Sequence, residues 1–236
     1  MARVFLDPGH GGKDPGALEN GLKEKDINLY VSLKVGDILK NHNVEVAYSR
    51  TTDAFIDLTP RTNMANQFKA DRFVSIHCNS FSNPTARGIE TFHHGASVKG
   101  KSLATAIQNE LVGLNLGTPN RGVKTANFTV ITKSNMAAVL VELGFISNAQ
   151  DAAYLKNKQD NLALAVAKGV LKDLGIKYVE KEEKQVSNDK NKPSDWAKKE
   201  WDWAKREGYL DGTRPKESIT REEMAIVLKR LVDKIG

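Results

Sequence analysis

Four residues spread along the chain are of types that together perform hydrolytic chemistry: His10, Glu24, His77 and Glu142. His10 sits among glycines in Asp7-Pro8-Gly9-His10-Gly11-Gly12, directly after the apolar run Val4-Phe5-Leu6. Pro8 and Gly9 end a strand there, and the glycines leave the imidazole uncrowded. His77 closes a second apolar run, Arg72 to Ile76, and Glu24 stands just before a segment of helical periodicity. Two imidazoles and one carboxylate form a known catalytic zinc set that keeps a fourth position for water. The chain has no HExxH helix motif, so such a site must be assembled from distant segments. Glu142 ends the apolar stretch Val139 to Val141, where a carboxylate is costly to desolvate without a cation, a hydrogen-bond partner or a role. Beside the metal that role is general base and then proton donor to a leaving amine; the alternative is a structural ion pair or an exposed strand end.

The elements that must position these residues alternate. Lys25–Asn41 carries an apolar stripe at Ile27, Tyr30, Val31, Val35, Ile38 and Leu39 and reads as a helix, as do Leu58–Phe68, Gly100–Leu114 and Leu162–Leu174, the last stopped by Gly175. Val44–Tyr48, Arg72–His77, Ile89–His93, Phe128–Ile131 and Ala138–Leu143 read as strands, the last nearly all apolar and therefore central. The pattern predicts an α/β layer structure, a twisted sheet flanked by helices. Parallel strands bring their carboxyl ends to one sheet edge, where His10 and His77 can converge. Arg61, His93 and His94 have no spacing that ties them to this site.

At 236 residues, 40% hydrophobic and 27% charged, the chain suits one medium domain and a small appendage. Cys78 is the only cysteine, which excludes an intramolecular disulfide and a CxxC zinc framework. The formal charge of +6 comes from scattered lysines and arginines with no nucleic-acid-binding signature, so neither a nucleic-acid partner nor membrane insertion is expected. Met1-Ala2-Arg3 runs straight into the first strand with no visible secretory leader. The expectation is a protein made in the cytoplasm that reaches its substrate by another route.

The polar, charge-balanced stretch 179–193 reads as a linker between residues 1–178 and a small helical module at 194–236; a solvated helix over Glu180–Lys184 is the alternative. Within the module, Trp196–Glu207 and a segment opening at the capping box Thr220-Arg221-Glu222-Glu223 read as helices. Trp196 and Trp203 share one helix face and Trp201 lies on another, so one face can pack inside the module while the other serves wall binding or association.

Five motifs taken together, Asp7–Gly12, Gly21–Lys25, Ser75–Asn79, Asn120–Val123 and Val141–Asn148, resemble the zinc-dependent N-acetylmuramoyl-L-alanine amidases of the Amidase_3 type across residues 2 to 176. The resemblance implies a mixed twisted sheet, zinc held at His10, Glu24 and His77, and Glu142 as the catalytic carboxylate. It also implies hydrolysis of the peptidoglycan amide between the lactyl group of N-acetylmuramic acid and L-alanine. Cys78 stands where that family has a small residue and reads as packing, not as a nucleophile. Asn79, two residues past His77 in an extended strand, points to the same side and contacts substrate or caps a turn. Residues 194–231 are similar to part of a surface-layer homology motif, which in its family docks on secondary cell-wall polymers in several copies; this chain has one. The reading favours a phage endolysin over a bacterial autolytic or sporulation amidase. A non-catalytic wall-binding protein with a structural metal needs a fourth protein ligand, and none stands out.

Overall fold

The computed structural model describes residues 1–180, 193, 197–210 and 221–235. The chain divides into two compact units, Met1–Val179 and Glu180–Gly236. Most of the linker segment, Trp196 and the side chains of the Thr220–Glu223 capping box lie outside the described residues.

The first unit is built on a six-stranded mixed sheet in the order β4-β1-β5-β8-β6-β7. β1 (Arg3–Pro8), β4 (Glu45–Tyr48), β5 (Arg72–Asn79) and β8 (Ala137–Phe145) run parallel, and β6 (Ile89–His93) lies antiparallel to β8 and parallel to β7 (Asn120–Thr125). A small antiparallel hairpin joins β2 (Leu18–Glu19) to β3 (Leu22–Lys23). β1, β5 and β8 are buried along nearly their whole length, as strands covered on both faces must be.

On one face pack α1 (Glu24–Lys40), α3 (Val98–Val112), α5 (Ala149–Asn157) and α6 (Gln159–Asp173), closing a core that includes Leu6, Val31, Val35, Ile76, Ile107, Val141, Leu155 and Val166. The opposite face carries a smaller core of Phe5, Phe73, Ala138 and Leu140 beneath α2 (Leu58–Gln67) and α4 (Thr129–Thr132). No helix among the described residues is long and apolar enough to cross a membrane.

Phe128–Ile131, expected as a strand, is instead the start of the helical turn α4 with Phe128 at its N-cap. A four-residue apolar run has no decisive period, and Val130 and Ile131 bury against the smaller core equally well from a helix. The strand of this region is β7, whose sequence Asn-Arg-Gly-Val-Lys-Thr carries no alternation to betray it. α5 was also not legible from apolar spacing; it starts where Asn148 Oδ1 accepts from the backbone N–H groups of Gln150 and Asp151, each at 3.1 Å.

In the second unit, α7 (Lys198–Arg206) contains no buried residue. Trp201 is half-buried and Trp203 is exposed, its ring 5.3 Å from that of Tyr209. Along α8 (Arg221–Ile235), Met224, Leu228, Leu231 and Val232 repeat at helical spacing and are exposed.

Candidate metal centre and active site

The sheet topology brings three of the singled-out residues together. β1 ends at Pro8, the Gly9 N–H donates to Ile76 O at 3.0 Å, and His10 follows in the left-handed region at φ 59°. His77 lies near the end of the adjacent parallel strand β5, and Glu24 is the first residue of α1. His10 Nε2 lies 3.1 Å and His77 Nδ1 3.0 Å from Glu24 Oε1, with the two imidazole rings 5.0 Å apart. One ligand atom from each residue falls within 4.8 Å of the others.

Glu24 is held firmly. Its Oε1 also accepts from the Cys78 N–H at 3.1 Å and from Asn28 Nδ2 at 3.2 Å, and Oε2 accepts from the Ala17 N–H at 2.9 Å. Burial penalises the charged carboxylate, but the hydrogen bonds and charge of His10 and His77 outweigh it and hold the carboxyl well below its usual range. On His10 burial likewise opposes the charged ring, and Glu24 and Asp14 outweigh it to raise the imidazole. Asp14 Oδ2 lies 2.8 Å from His10 Nδ1, so one ring nitrogen is committed to a carboxylate and Nε2 is left facing Glu24.

The loop that presents His10 is fixed from below by two buried arginines. Arg50 donates to Gly9 O at 2.8 Å and Pro8 O at 3.0 Å, while Arg61 donates to His10 O at 2.8 Å and Pro8 O at 2.7 Å. Buried Asp7 accepts from Arg61 at 2.8 Å, Ser49 Oγ at 2.6 Å and Ser75 Oγ at 2.7 Å. Such bonding offsets the strain of a non-glycine residue at positive φ, about 1–3 kcal/mol. Arg61 was therefore missed by spacing alone. The signal in the sequence was only an arginine inside an otherwise amphipathic helix.

Glu142 stands beside the cluster, the register partner of His77 on β5 and of Glu90 on β6. Alone in β8 it is not fully buried, and it lines a cavity of about 640 Å³ together with His10, His77, Arg61, Phe128 and Leu140. Its Oε2 is shut from solvent and accepts no hydrogen bond. Burial pushes the Glu142 carboxyl well above the usual range, and the carboxylates of Glu24 and Glu90 push it further.

The donor set suits a divalent zinc ion. Two imidazoles and a deprotonated carboxylate converge, no fourth protein ligand joins them among the described residues, and the space around them is kept by glycine. A Cβ at Gly9 would lie 2.2 Å from His77 Cε1, and one at Gly16 would lie 2.6 Å from Glu24 Oε2.

The remaining expected residues fall around this centre. Cys78 is buried, with its thiol pushed up by burial and its Sγ 3.7 Å from Asn28 Oδ1, the environment of a packing residue and not of a thiolate. A register irregularity separates His77 from Asn79, whose Nδ2 donates to Glu90 Oε1 at 2.8 Å and whose Oδ1 accepts from the Ser80 N–H at 2.8 Å. His93 is buried, its Nδ1 2.8 Å from His94 O, away from the cluster. Trp201 and Trp203 belong to the other unit.

Residues 4–172 match the family model Amidase_3, N-acetylmuramoyl-L-alanine amidase. The chain is 42% identical over 172 residues to the N-acetylmuramoyl-L-alanine amidase LytC of Bacillus subtilis, covering 71% of this chain but only 34% of LytC, so it spans about a third of that relative's length. It is 40% identical over 184 residues to an endolysin of Bacillus phage SPP1, covering 74% of this chain and 66% of the endolysin. The solved N-acetylmuramoyl-L-alanine amidase AmiC2 of Nostoc punctiforme superposes with a TM-score of 0.71 at 38% identity, over 74% of this chain and 97% of AmiC2. With its mixed sheet, its two histidines and glutamate at the sheet edge and these relatives, the chain belongs to the N-acetylmuramoyl-L-alanine amidase family of peptidoglycan hydrolases.

Proposed function

We propose that the chain hydrolyses the amide joining the lactyl carbonyl of N-acetylmuramic acid to the amine of L-alanine in the peptidoglycan stem, with zinc held by His10, Glu24 and His77. The observation that carries this reading is the unpartnered, buried Oε2 of Glu142 beside the ligand cluster and in the same cavity. When bound, zinc supplies a Lewis acid that polarises the scissile carbonyl and acidifies water.

The protein's own groups do the rest. Glu142 takes a proton from the attacking water as the new carbon–oxygen bond forms, then delivers it to the alanine nitrogen as the carbon–nitrogen bond breaks, leaving a lactyl carboxylate and a free amine. Its raised proton affinity, caused by burial and the nearby carboxylates, lets it hold that proton between the two steps. Asp14 orients the His10 ring, and Arg50 and Arg61 hold the loop beneath it. Digestion of purified cell walls tests the bond: new L-alanine amino termini are expected, whereas new reducing sugar ends mean a glycosidase and overturn the assignment.

The biological setting we favour is host-wall lysis as a phage endolysin acting after release from the cytoplasm, supported by the 40% identity to the endolysin of phage SPP1. The similar identity to LytC supports the second reading, a bacterial wall amidase with the same chemistry. The exposed apolar repeat of α8 and the exposed Trp203 support a C-terminal module that acts by association, either with its own copy in another chain or with a wall polymer. Sedimentation of the full chain beside residues 1–178, with a wall-pelleting assay, tests this. A monomer whose wall binding survives the truncation contradicts both roles.

A further inference from the structure

Three of the five motifs leave residues that the hydrolytic step does not use; two of these meet at one carboxylate and the third packs on one of the two. Asn79, Arg121 and Phe145 lie 24 to 66 positions apart in the chain; Asn79 and Arg121 bond Glu90, the register partner of Glu142, and Phe145 packs on Arg121. Neighbouring strand residues in register project from the same sheet face, so Glu90 stands next to Glu142 at the edge where the ligands lie.

Glu90 is buried at 3% exposure and fully engaged. Oε1 accepts from Asn79 at 2.8 Å, and Oε2 accepts from Arg121 Nε at 2.9 Å and from Lys124 Nζ. The Arg121 guanidinium lies 4.9 Å from the centre of the Phe145 ring, and its Nη1 reaches Arg87 O at 3.4 Å. One cation suffices to neutralise one buried carboxylate; here there are two, a formal surplus of one positive charge. Both remain accessible, with 35% of the Arg121 and 38% of the Lys124 side chain exposed. Lys124 Nζ spends one of its three donors on Glu90, so donors are left over for a ligand.

We propose that Arg121 and Lys124, anchored on Glu90, form a subsite that receives a carboxylate of the stem peptide on the leaving-amine side of the scissile bond. The inference rests on the amidase reading above. The chemistry of the substrate selects the peptide: the carboxyl group of muramic acid is consumed in the amide being cut, so within the muramyl peptide only the stem carries carboxylates. The reach is right as well. β7 lies two strands from β8, about 10 Å across the sheet, and Lys124 leans back toward β6. The free α-carboxylate of a γ-linked second residue lies about 7 Å from the alanine nitrogen in an extended chain.

The test uses two soluble substrates, muramyl-L-alanyl-D-isoglutamate and its amidated form muramyl-L-alanyl-D-isoglutamine, cleaved by the zinc-loaded full chain. They contain no teichoic acid or other phosphate polymer, so discrimination between them belongs to the peptide carboxylate. The wild type is expected to favour the acid in kcat/KM by about tenfold, the worth of one charge-assisted hydrogen bond. Lys124→Gln and Arg121→Gln are each expected to bring the ratio toward one, and Lys124→Arg to keep it. Far-ultraviolet dichroism and zinc content of each variant report a folding failure separately. Equal rates on both substrates by the wild type, or a ratio that survives in both Gln variants, overturn the subsite and leave the amidase reading standing. Cleavage of neither substrate, with walls also untouched, overturns the amidase reading itself.

Discussion

Within the ligand cluster, both oxygens of Glu24 have donors, drawn from the backbone, from Asn28 and from the two histidines; beside it, Glu142 Oε2 has none. Both carboxylates stand at the same sheet edge, yet their surroundings drive them in opposite directions, Glu24 toward a permanent charge and Glu142 toward holding a proton. A metal ligand must stay deprotonated and still, whereas a proton carrier needs an uncommitted lone pair and an affinity that can be satisfied in mid-reaction. The division of labour in the site is thus written in which oxygen is left without a partner.

The comparison is broken most severely by removing a ligand. His77→Ala is expected to abolish zinc binding and with it hydrolysis by several orders of magnitude, measured by metal analysis and by turbidity loss on purified walls. Full activity with zinc retained would place the metal elsewhere.

A smaller effect is expected from the floor of the ligand loop. Arg61→Lys keeps a positive charge for Asp7 but loses the fork that reaches His10 O and Ile56 O together. Zinc affinity should weaken about 10- to 100-fold in competition with a chelator, with saturating zinc restoring most of the rate. Unchanged affinity would mean that the loop holds its shape without Arg61.

The smallest effect sharpens the other side. Because the folded Glu142 carboxyl lies above its ordinary value, between those two values the native state keeps a proton that the unfolded chain has released. The stability of the zinc-free protein therefore falls as pH rises through that window. Glu142→Gln has no charge to desolvate, so its unfolding midpoint relative to wild type should rise as pH is raised above the ordinary carboxylate range. A difference that does not change with pH would contradict the burial-driven shift.

The central architecture was legible because long elements with a clean period leave little choice. The stripe over Ile27 to Leu39 became α1, Ile89–His93 became β6, and the apolar run ending at Glu142 became β8. Convergence of His10 and His77 followed from parallel strands alone. What escaped was set by tertiary contacts. β7 is a strand because β6 offers it a ladder, not because Arg-Gly-Val-Lys alternates. Phe128–Ile131 coils into α4 because a short apolar run obeys whichever geometry buries it. Arg61 and Glu90 owe their importance to partners 51 to 54 and 11 to 34 residues away in sequence, which no local pattern reveals.

Glu142→Gln tests the division of roles most directly, because the amide is nearly isosteric with the carboxyl but cannot take a proton from water. Zinc content and release of L-alanine amino termini from purified walls should be measured on the same sample. The predicted result is one zinc per chain, as in the wild type, with amide hydrolysis lost. A near-native rate of release, or loss of zinc along with activity, would contradict the assignment of Glu142 as proton carrier beside an independently held metal.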